Sequence, residues 1–372
     1  MMMRVGIRVD ASIEIGSGHV MRSLTLAERL RRSGADVYFV CREHEGNLCD
    51  YVQRQGFHVY RLPACEETKG QKVKGTGYET WLGESWSLDV AQTAGSLGDN
   101  GLLDWLVIDH YAIDSRWEKK ARAFARRIFV IDDLANRTHD CDILLDQNLF
   151  DRMVQRYDGL VPSACVKLLG PQYALLREEF QLARAKARIR DGSIRNVLIF
   201  FGGTDPTGET LKTLKAMARL VMTEVEFDVV VGGTNEQLDD IARFCATHNH
   251  FRLHSQIDYM SRLMLHADLA LGAGGSTTWE RCFLGLPSVT ITTADNQVEI
   301  TRTVALTGAT FYLGHYNEIS EQAWFDCFDQ LQRSPELVTA MSSAALMLIN
   351  HFNEDASDVT DILNSMLKDE VN

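Results

Sequence analysis

A histidine directly follows a glycine turn near the start of the chain, and together they form a candidate catalytic element. Gly16 and Gly18 permit a tight turn that lets a ligand approach the backbone, and His19 comes next. A helical pattern begins at Val20, so the positive end of the helix would favour the neutral imidazole that a general base needs. A histidine that only caps the turn fits the same pattern. The third glycine of the dinucleotide-binding fingerprint is missing.

Polar side chains also follow three later apolar runs of the first half. Asp109, Asp132 and Asp146 each come directly after such a run, and Tyr111 and Asn148 stand two residues further on. Ligands of open parallel sheets bind beyond the carboxyl ends of the strands, so these groups would meet at one edge. Together they predict a polar substrate that is rich in hydroxyl or amide groups. Each of them alone is equally well explained as a helix N-cap, where Asp and Asn are preferred.

Two glycine loops of the second half predict an anion-binding site. Each follows an apolar run and leads into a helical pattern, which is the arrangement that offers backbone N–H groups to a phosphate. The first loop is not a Walker loop, because no Gly-Lys-Ser/Thr follows it. The predicted phosphate-binding residues are Gly202, Gly203, Thr204, Asp205, Gly274, Gly275 and Ser276.

An acidic residue and an amide pair complete the candidate site of the second half. Glu280 lies one turn into the helix after the second glycine loop, where its carboxylate could accept two hydrogen bonds from a ribose diol. An acidic residue in a first turn also complements the helix dipole. Asn296 and Gln297 follow the next apolar run, and amides can both donate to and accept from sugar substituents. The combination favours a nucleotide-sugar site over a set of separate caps.

Short apolar runs must position these loops. Because the runs are nearly continuous in Val, Ile, Leu and Phe, they predict strands buried on both faces, within parallel sheets covered by helices. A helix is predicted over 20–33 and a charged helical stretch over 173–190, with a break at 191–193 that we interpret as the connection between two domains. One helix is predicted around 84–94 in the otherwise loop-like stretch 69–101. The runs are Arg4–Val9, Val37–Val40, Leu106–Ile108, Ile128–Ile131, Ile143–Leu145, Val197–Phe201, Phe227–Val231, Leu269–Leu271 and Val289–Ile291.

Length and charge narrow the class of protein. The 372 residues favour two domains of about 150 residues each, with boundaries predicted at 1–175 and 192–345 and a C-terminal helix over 346–372. The net charge of −13 argues against a broad nucleic-acid footprint. No apolar run reaches the roughly 18 residues of a membrane span, and the start lacks a signal-peptide layout, so we predict a cytoplasmic protein. The eight cysteines lack zinc-ligand spacing, which predicts reduced thiols and no metal site. No signal indicates an oligomeric state.

The motif Gly272-Ala-Gly-Gly-Ser-Thr-Thr-Trp-Glu-Arg281, followed by Gly285-Leu-Pro287 and Asp295-Asn-Gln297, resembles the donor-binding half of MurG-type GT-B glycosyltransferases. This resemblance implies an α/β, GT-B-like fold of two Rossmann-like parallel-sheet domains that face an interdomain cleft. It also implies that the second domain holds UDP, with the glycine loops at the phosphates, Glu280 at the ribose and the amide pair facing the sugar.

Motifs of the first half resemble, more narrowly, the PseG family of sugar-nucleotide hydrolases. They are Arg8-Val-Asp10, Ile15-Gly-Ser-Gly-His19, Ile108-Asp-His-Tyr111, Ile131-Asp-Asp133, the stretch 141–148 and the stretch 173–180. The resemblance extends to about Gly314, while the last 55 or so residues and the stretch 69–101 match poorly. It implies hydrolysis of UDP-2,4-diacetamido-2,4,6-trideoxy-β-L-altropyranose to UDP and the free sugar, with inversion at C1 and without a metal or another cofactor. The family's proton-accepting histidine falls on His19.

The first domain would then bind the sugar with its two acetamido groups. The predicted substrate-binding residues are Asp10, Gly16, Gly18, Asp109, Tyr111, Asn148, Tyr173, Asn296 and Gln297. Two alternatives remain at this point: a glycosyltransferase that moves the same sugar to an acceptor, and a binding module that holds a sugar nucleotide without turnover, in which His19 would be expendable.

Overall fold

The structure is a computed structural model that describes residues 2–64, 77–98, 101–220, 224–353 and 358–368. The chain forms two compact units, and each is built on one sheet. The first unit takes its residues from 1–148, 152–175 and 356–372, and the second takes them from 149–151 and 176–355. Within the poorly matched stretch 69–101, residues 69–76 and 99–100 lie outside the described residues.

The sheet of the first unit has seven described strands, all parallel to their neighbours. They are β1 (Arg4–Val9), β2 (Asp36–Arg42), β3 (His58–Leu62), β4 (Leu103–Asp109), β5 (Ala125–Ile131), β6 (Ile143–Asp146) and β7 (Val166–Leu169). Their order across the sheet is β3-β2-β1-β4-β5-β6-β7, with Val9 paired to Asp109. Because β1 and β4 are neighbours, the loops that follow them leave the sheet side by side.

Four helices accompany these strands in the described part of the first half. They are α1 (Gly18–Arg32), α2 (Cys49–Arg54), α3 (Trp86–Leu97) and α4 (Ser115–Ala121). Helix α1 buries its Val20, Leu24 and Leu30 face in the same core as Val5 and Ile7 of the central strand, as expected for apolar residues at a 3.6-residue period. The helix predicted over 20–33 is confirmed, and the helix predicted around 84–94 corresponds to α3.

The sheet of the second unit has six described strands, which are also parallel. They are β8 (Asn196–Phe200), β9 (Glu226–Val231), β10 (Phe251–Ser255), β11 (Leu269–Ala273), β12 (Ser288–Thr292) and β13 (Thr310–His315), in the order β10-β9-β8-β11-β12-β13. The loops after β8, β11 and β12 leave neighbouring strands, which brings together the two glycine loops and the Asn296–Gln297 pair.

The helices of the second unit alternate with its strands. They are α5 (Glu178–Ala183), α6 (Glu209–Met217), α7 (Leu238–Thr247), α8 (Met260–His266), α9 (Thr277–Phe283), α10 (Asn296–Leu306), α11 (Glu321–Gln332) and α12 (Pro335–Asn353). A last helix, α13 (Val359–Lys368), belongs to the first unit, where Val359 and Leu363 enter the core and Asp358 pairs with Arg29 of α1. None of the described helices combines the length and apolar character required to span a bilayer.

Four described strands were not predicted from the sequence, and all four lie at sheet edges: β3, β7, β10 and β13. An edge strand has a neighbour on one side only and is covered less completely, so its sequence carries polar residues. Strand β10 has only Phe251 buried, whereas every residue of the interior strand β12 is buried. The continuous apolar run that marks interior strands is therefore absent from the edges.

The helix predicted over 173–190 is wrong at both ends. Tyr173 closes a short 3-10 turn that begins at Pro171, and residues 187–190 follow a second 3-10 turn in non-helical conformation. The reason at the far end is Arg190, whose side chain is fully buried and donates to the backbone carbonyls of Met264 and Ala267. Its charge indicated an exposed helical face, but it satisfies carbonyls at the end of α8 instead.

Candidate active site

His19 stands in the first turn of α1, directly after the glycine turn. Gly16 has a φ of +77°, which a residue with a Cβ rarely adopts. Its N–H donates to the carbonyl of Ser12 at 2.9 Å and closes the turn. No atom lies within 4 Å of the position that a Cβ would take at Gly16 or Gly18, so the turn has open space beside it. The His19 side chain is nearly buried, with 7% exposed.

Asp109 orients the imidazole of His19. The Nδ1 atom of His19 lies 2.6 Å from Asp109 Oδ1 and 3.2 Å from Arg22 Nη2, whereas Nε2 has no hydrogen-bond partner among the described residues. Arg22, one turn further along α1, binds both carboxylate oxygens of Asp109 at 2.7 Å each. Burial alone would raise the pKa of the Asp109 carboxyl, but Arg22 and His19 outweigh it and hold that pKa well below its usual range. The carboxylate is therefore ionised whenever the protein is folded near neutral pH.

Asp133 organises the residues around this pair. It accepts hydrogen bonds from Arg22 Nη1 at 3.1 Å, from Asn148 Nδ2 at 3.2 Å and from the hydroxyl of Tyr111. The Tyr111 ring meets His19 edge-on, with 4.5 Å between ring centroids. Burial, reinforced by the charge of Asp133, raises the pKa of the Tyr111 phenol well above its usual value, so the hydroxyl remains a donor. The structure thus brings His19, Asp109, Tyr111 and Asn148 together, as predicted from the sequence.

The other predicted substrate-binding residues of the first half lie deeper. Asp10 is fully buried, pairs with Arg8 at 2.5 Å and accepts the backbone N–H of Arg42 at 2.7 Å. Burial would raise the pKa of the Asp10 carboxyl, but Arg8 holds it well below the usual range. Tyr173 is half-buried and packs against the core of the first unit. The substrate contacts proposed for these two residues remain predictions.

The glycine loop after β8 has open space beside its first residue, Gly202, while its later residue Asp205 stabilises the next helix. Gly202 has a φ of +106° with no atom within 4 Å of a would-be Cβ, and the carbonyl of Gly203 accepts the N–H of Gly232 at 2.9 Å. Asp205 turns its carboxylate onto the start of α6, where it accepts the N–H groups of residues 209 and 210 at 3.1 and 2.7 Å. Thr204 lies between Gly203 and Asp205. The Asp205 side chain therefore caps the helix, as Asp commonly does.

The glycine loop after β11 combines close packing with open space. A Cβ at Gly274 would lie 2.1 Å from Thr301 Oγ1, which leaves room only for glycine. Gly275 has a φ of +152°, and the nearest atom to its would-be Cβ is Nε2 of Gln297 at 3.9 Å. Gln297 Oε1 accepts the backbone N–H of Thr293 at 3.0 Å, which fixes the amide with its nitrogen towards the loop. Ser276 precedes α9, and Asn296 begins α10.

Glu280 is a buried carboxylate with one oxygen occupied. Its Oε1 accepts two hydrogen bonds from Arg177, from Nε at 3.1 Å and from Nη2 at 3.0 Å. Its Oε2 is buried and has no hydrogen-bond partner in the described part of the chain. Burial raises the pKa of Glu280, while the positive charge of Arg177 opposes that shift. A buried acceptor without a donor is costly, so a ligand hydroxyl would gain by binding there.

Arg281 places a positive charge directly under the second glycine loop. Its guanidinium is buried and donates to the carbonyl of Ala273 and to the hydroxyls of Thr277 and Thr278, at 3.1 to 3.2 Å. Burial lowers the pKa of Arg281 to about 10, so it remains charged at neutral pH. The site residues predicted from the sequence did not include Arg281, Arg22 or Arg177. For Arg22 the spacing from His19 was a usable signal, because residues three apart share a helix face.

Among the described residues, no group of three or more His, Cys, Asp and Glu is arranged to hold a metal ion.

The prediction of a GT-B-like fold with two Rossmann-like parallel-sheet domains is confirmed, while the cleft between them stays a prediction. Acinetobacter baumannii MurG has a TM-score of 0.60 at 15% identity, covering 98% of this chain and 99% of that one. The spinosyn rhamnosyltransferase SpnG has a TM-score of 0.58 at 18% identity, covering 98% and 100%. At these identities the likeness concerns the fold alone.

Sequence relatives confirm the narrower resemblance. The Campylobacter jejuni UDP-2,4-diacetamido-2,4,6-trideoxy-β-L-altropyranose hydrolase is 28% identical over 283 residues, covering 76% of this chain and 89% of that protein. The spore coat polysaccharide biosynthesis protein SpsG of Bacillus subtilis is 22% identical, covering 99% and 100%. An uncharacterised Methanocaldococcus jannaschii protein is 24% identical over 297 residues, and the chain spans about half of its length, 55%. No family model matches the chain.

Proposed function

We propose that the chain hydrolyses a UDP-activated sugar by attack of water at C1 and that His19 is the general base. The observation that carries this proposal is the array of His19, Asp109 and Arg22. With Nδ1 of the imidazole held by Asp109, Nε2 is the nitrogen that takes the proton from water. The imidazolium formed in this step is stabilised by the adjacent ionised carboxylate. The same arrangement is expected of a catalytic base, and a module that only binds a sugar nucleotide would not require it.

The second unit would bind the UDP part of the substrate. Oε2 of Glu280 is the acceptor for a ribose hydroxyl, and Asn296 and Gln297 are the amides proposed for the sugar. Negative charge develops on UDP as it leaves, and backbone N–H groups of the two glycine loops, with Arg281 behind the second, can stabilise it. Because UDP is already a good leaving group, no strong general acid and no metal-dependent step is required.

The substrate we propose is UDP-2,4-diacetamido-2,4,6-trideoxy-β-L-altropyranose, with inversion at C1. The support is the name of the Campylobacter jejuni relative, together with the resemblance of the motifs around His19 and Glu280 to this family of hydrolases. A glycosyltransferase that uses a UDP-sugar donor is the second candidate, since MurG and SpnG share the fold.

Incubation with the sugar nucleotide and no acceptor separates these candidates. Stoichiometric release of UDP and free sugar supports the hydrolase, whereas turnover that requires an added acceptor supports the transferase. The His19→Asn variant should lose about 10²- to 10⁴-fold in rate and should keep near-normal UDP affinity by calorimetry. An unchanged hydrolysis rate in this variant contradicts the role of His19.

A further inference from the structure

Three aromatic rings form a continuous surface beside His19. The rings of Trp81 and Tyr111 are stacked, with 5.6 Å between centroids and 23° between planes. Tyr78 contacts both of them edge-on, at 4.8 and 5.1 Å. His19 meets Tyr111 at 4.5 Å and Trp81 at 6.2 Å. The proposed base therefore has an aromatic neighbour on the side formed by residues 78 to 81.

A short 3-10 helix, Tyr78–Leu82, holds two of these rings in place. Leu82 is buried in a hydrophobic cluster of the first unit and anchors the segment. The indole N–H of Trp81 donates to Glu14 Oε1 at 3.1 Å, and Glu14 belongs to the turn that leads to His19. The aromatic segment is thus tied to the same loop that positions the imidazole. Trp81 and Tyr78 are partly exposed, whereas Tyr111 is buried.

The polar groups nearest to His19 already have protein partners. The hydroxyl of Tyr111 and the amide of Asn148 both donate to Asp133, and both oxygens of Asp109 accept from Arg22. Of the two described aromatic residues whose rings contact His19, Tyr111 is buried and Trp81 is partly exposed, so Trp81 is the aromatic contact that a ligand can reach. Ring faces favour C–H bonds and methyl groups, while a sugar hydroxyl placed against them loses its hydration without a hydrogen bond in return.

We propose that Trp81 and Tyr78 form a sugar subsite that takes methyl or N-acetyl groups and so favours deoxygenated, N-acylated sugars over fully hydroxylated ones. This proposal rests on the proposed function, because it concerns the sugar on which His19 acts. Both aromatic side chains lie in the stretch 69–101, which was predicted to be largely loop.

The test compares two substrates in the wild type, in Trp81→Ala and in Trp81→Phe. One is the 2,4-diacetamido-2,4,6-trideoxy sugar nucleotide, and the other is UDP-N-acetylglucosamine, which has hydroxyls at C4 and C6. Trp81→Ala should lower kcat/KM for the first substrate by about 10- to 200-fold, the range for lost apolar contacts in a pocket, and change the second much less. Trp81→Phe should retain most of the preference. Inhibition by UDP, which lacks the sugar attached to the β-phosphate, should be unchanged.

Two control variants separate recognition from folding. Trp86→Ala removes another partly exposed tryptophan that packs against Arg116 and makes no ring contact with His19, and it should leave the preference intact. Glu14→Gln tests whether the indole hydrogen bond alone matters, and its preference should stay close to that of the wild type. Thermal unfolding of each variant shows whether a rate loss follows a loss of stability.

The following outcomes test the subsite at Trp81 and Tyr78 separately from the proposed hydrolase activity. Equal loss on both substrates, or loss of UDP inhibition, means that Trp81 only packs the fold, and the proposal is overturned. If the wild type hydrolyses neither substrate, the proposed function fails. The affinities of the intact sugar nucleotides relative to UDP, measured by calorimetry in wild type and Trp81→Ala, then decide the subsite. A smaller preference for the 2,4-diacetamido-2,4,6-trideoxy sugar nucleotide over UDP-N-acetylglucosamine in Trp81→Ala supports the subsite, and an unchanged preference overturns it.

Discussion

The exchange Asp109→Asn tests how much the orienting carboxylate contributes to the proposed reaction. In the wild type, Oδ1 of Asp109 lies 2.6 Å from Nδ1 of His19 and selects the tautomer with a free Nε2. Once His19 is protonated, the two charge centres are about 4 Å apart, which is worth about 4 kcal/mol at an effective dielectric constant of about 20. Loss of this attraction corresponds to a rate about 10³-fold lower. Single-turnover release of UDP measures the effect directly.

A double variant shows whether Asp109 acts through His19. In a His19→Asn background, Asp109→Asn should slow the reaction by less than about threefold, because the interaction that it removes is already gone. UDP affinity should be normal in both single variants. An equal slowing in both backgrounds would refute the orienting role.

The stability of Asp109→Asn needs a separate measurement. Arg22 keeps its contact with Asp133 at 3.1 Å, but the Asp109→Asn side chain carries no charge and accepts from Arg22 through one oxygen instead of two. Breaking a buried ion pair costs about 3–5 kcal/mol, which denaturant unfolding will detect. Because the pKa of Asp109 is depressed in the folded protein, its stabilising contribution is complete above a pH of about 4 and is lost as pH falls through the folded pKa. The acid sensitivity that this group confers should be absent from the variant.

Two further predictions concern the second unit. UDP affinity should rise with pH through the elevated pKa of Glu280, because the ionised carboxylate is the stronger acceptor for a ribose hydroxyl at Oε2. Arg177→Gln should shift that rise to higher pH, and Glu280→Gln should abolish it and weaken binding by about 1–3 kcal/mol. Calorimetry of UDP binding over a series of pH values checks both. Arg281→Gln should weaken binding of UDP about tenfold or more, because it removes the positive charge behind the proposed phosphate loop. The affinity for uridine, which has no phosphate, should change by less than about twofold. An equal loss for both ligands would show that Arg281 only supports the loop.

The sequence was sufficient for the interior of both sheets and insufficient for their edges. Interior strands such as β1 and β12 are buried along almost their whole length, and their Val and Ile residues form the short apolar runs that the sequence shows. Edge strands such as β10 and β13 carry polar residues, and their pairing depends on neighbours that are distant in the chain. Sheet order follows from these long-range pairings, which no local pattern encodes.

In the candidate site, too, some residues were predictable from local sequence patterns and others depend on tertiary packing. His19 and Glu280 were predictable because each follows a strand and a glycine loop, and strand ends mark the binding edge of a parallel sheet. The capping role of Asp205 was not predicted, since a capping Asp and a ligand-binding Asp have the same sequence pattern. Trp81 lies in a short 3-10 helix with no periodic pattern, and its place beside His19 depends on tertiary packing.

The most direct test of the central claim is hydrolysis of the proposed UDP-sugar in ¹⁸O-labelled water, with no acceptor, followed by mass spectrometry of the released UDP. Phosphate oxygens do not exchange with water, so the label records which bond breaks. Attack at C1 by water that His19 activates predicts unlabelled UDP, formed at a rate that collapses in His19→Asn. Labelled UDP would mean attack at phosphorus, and either that result or full activity in His19→Asn would contradict the account.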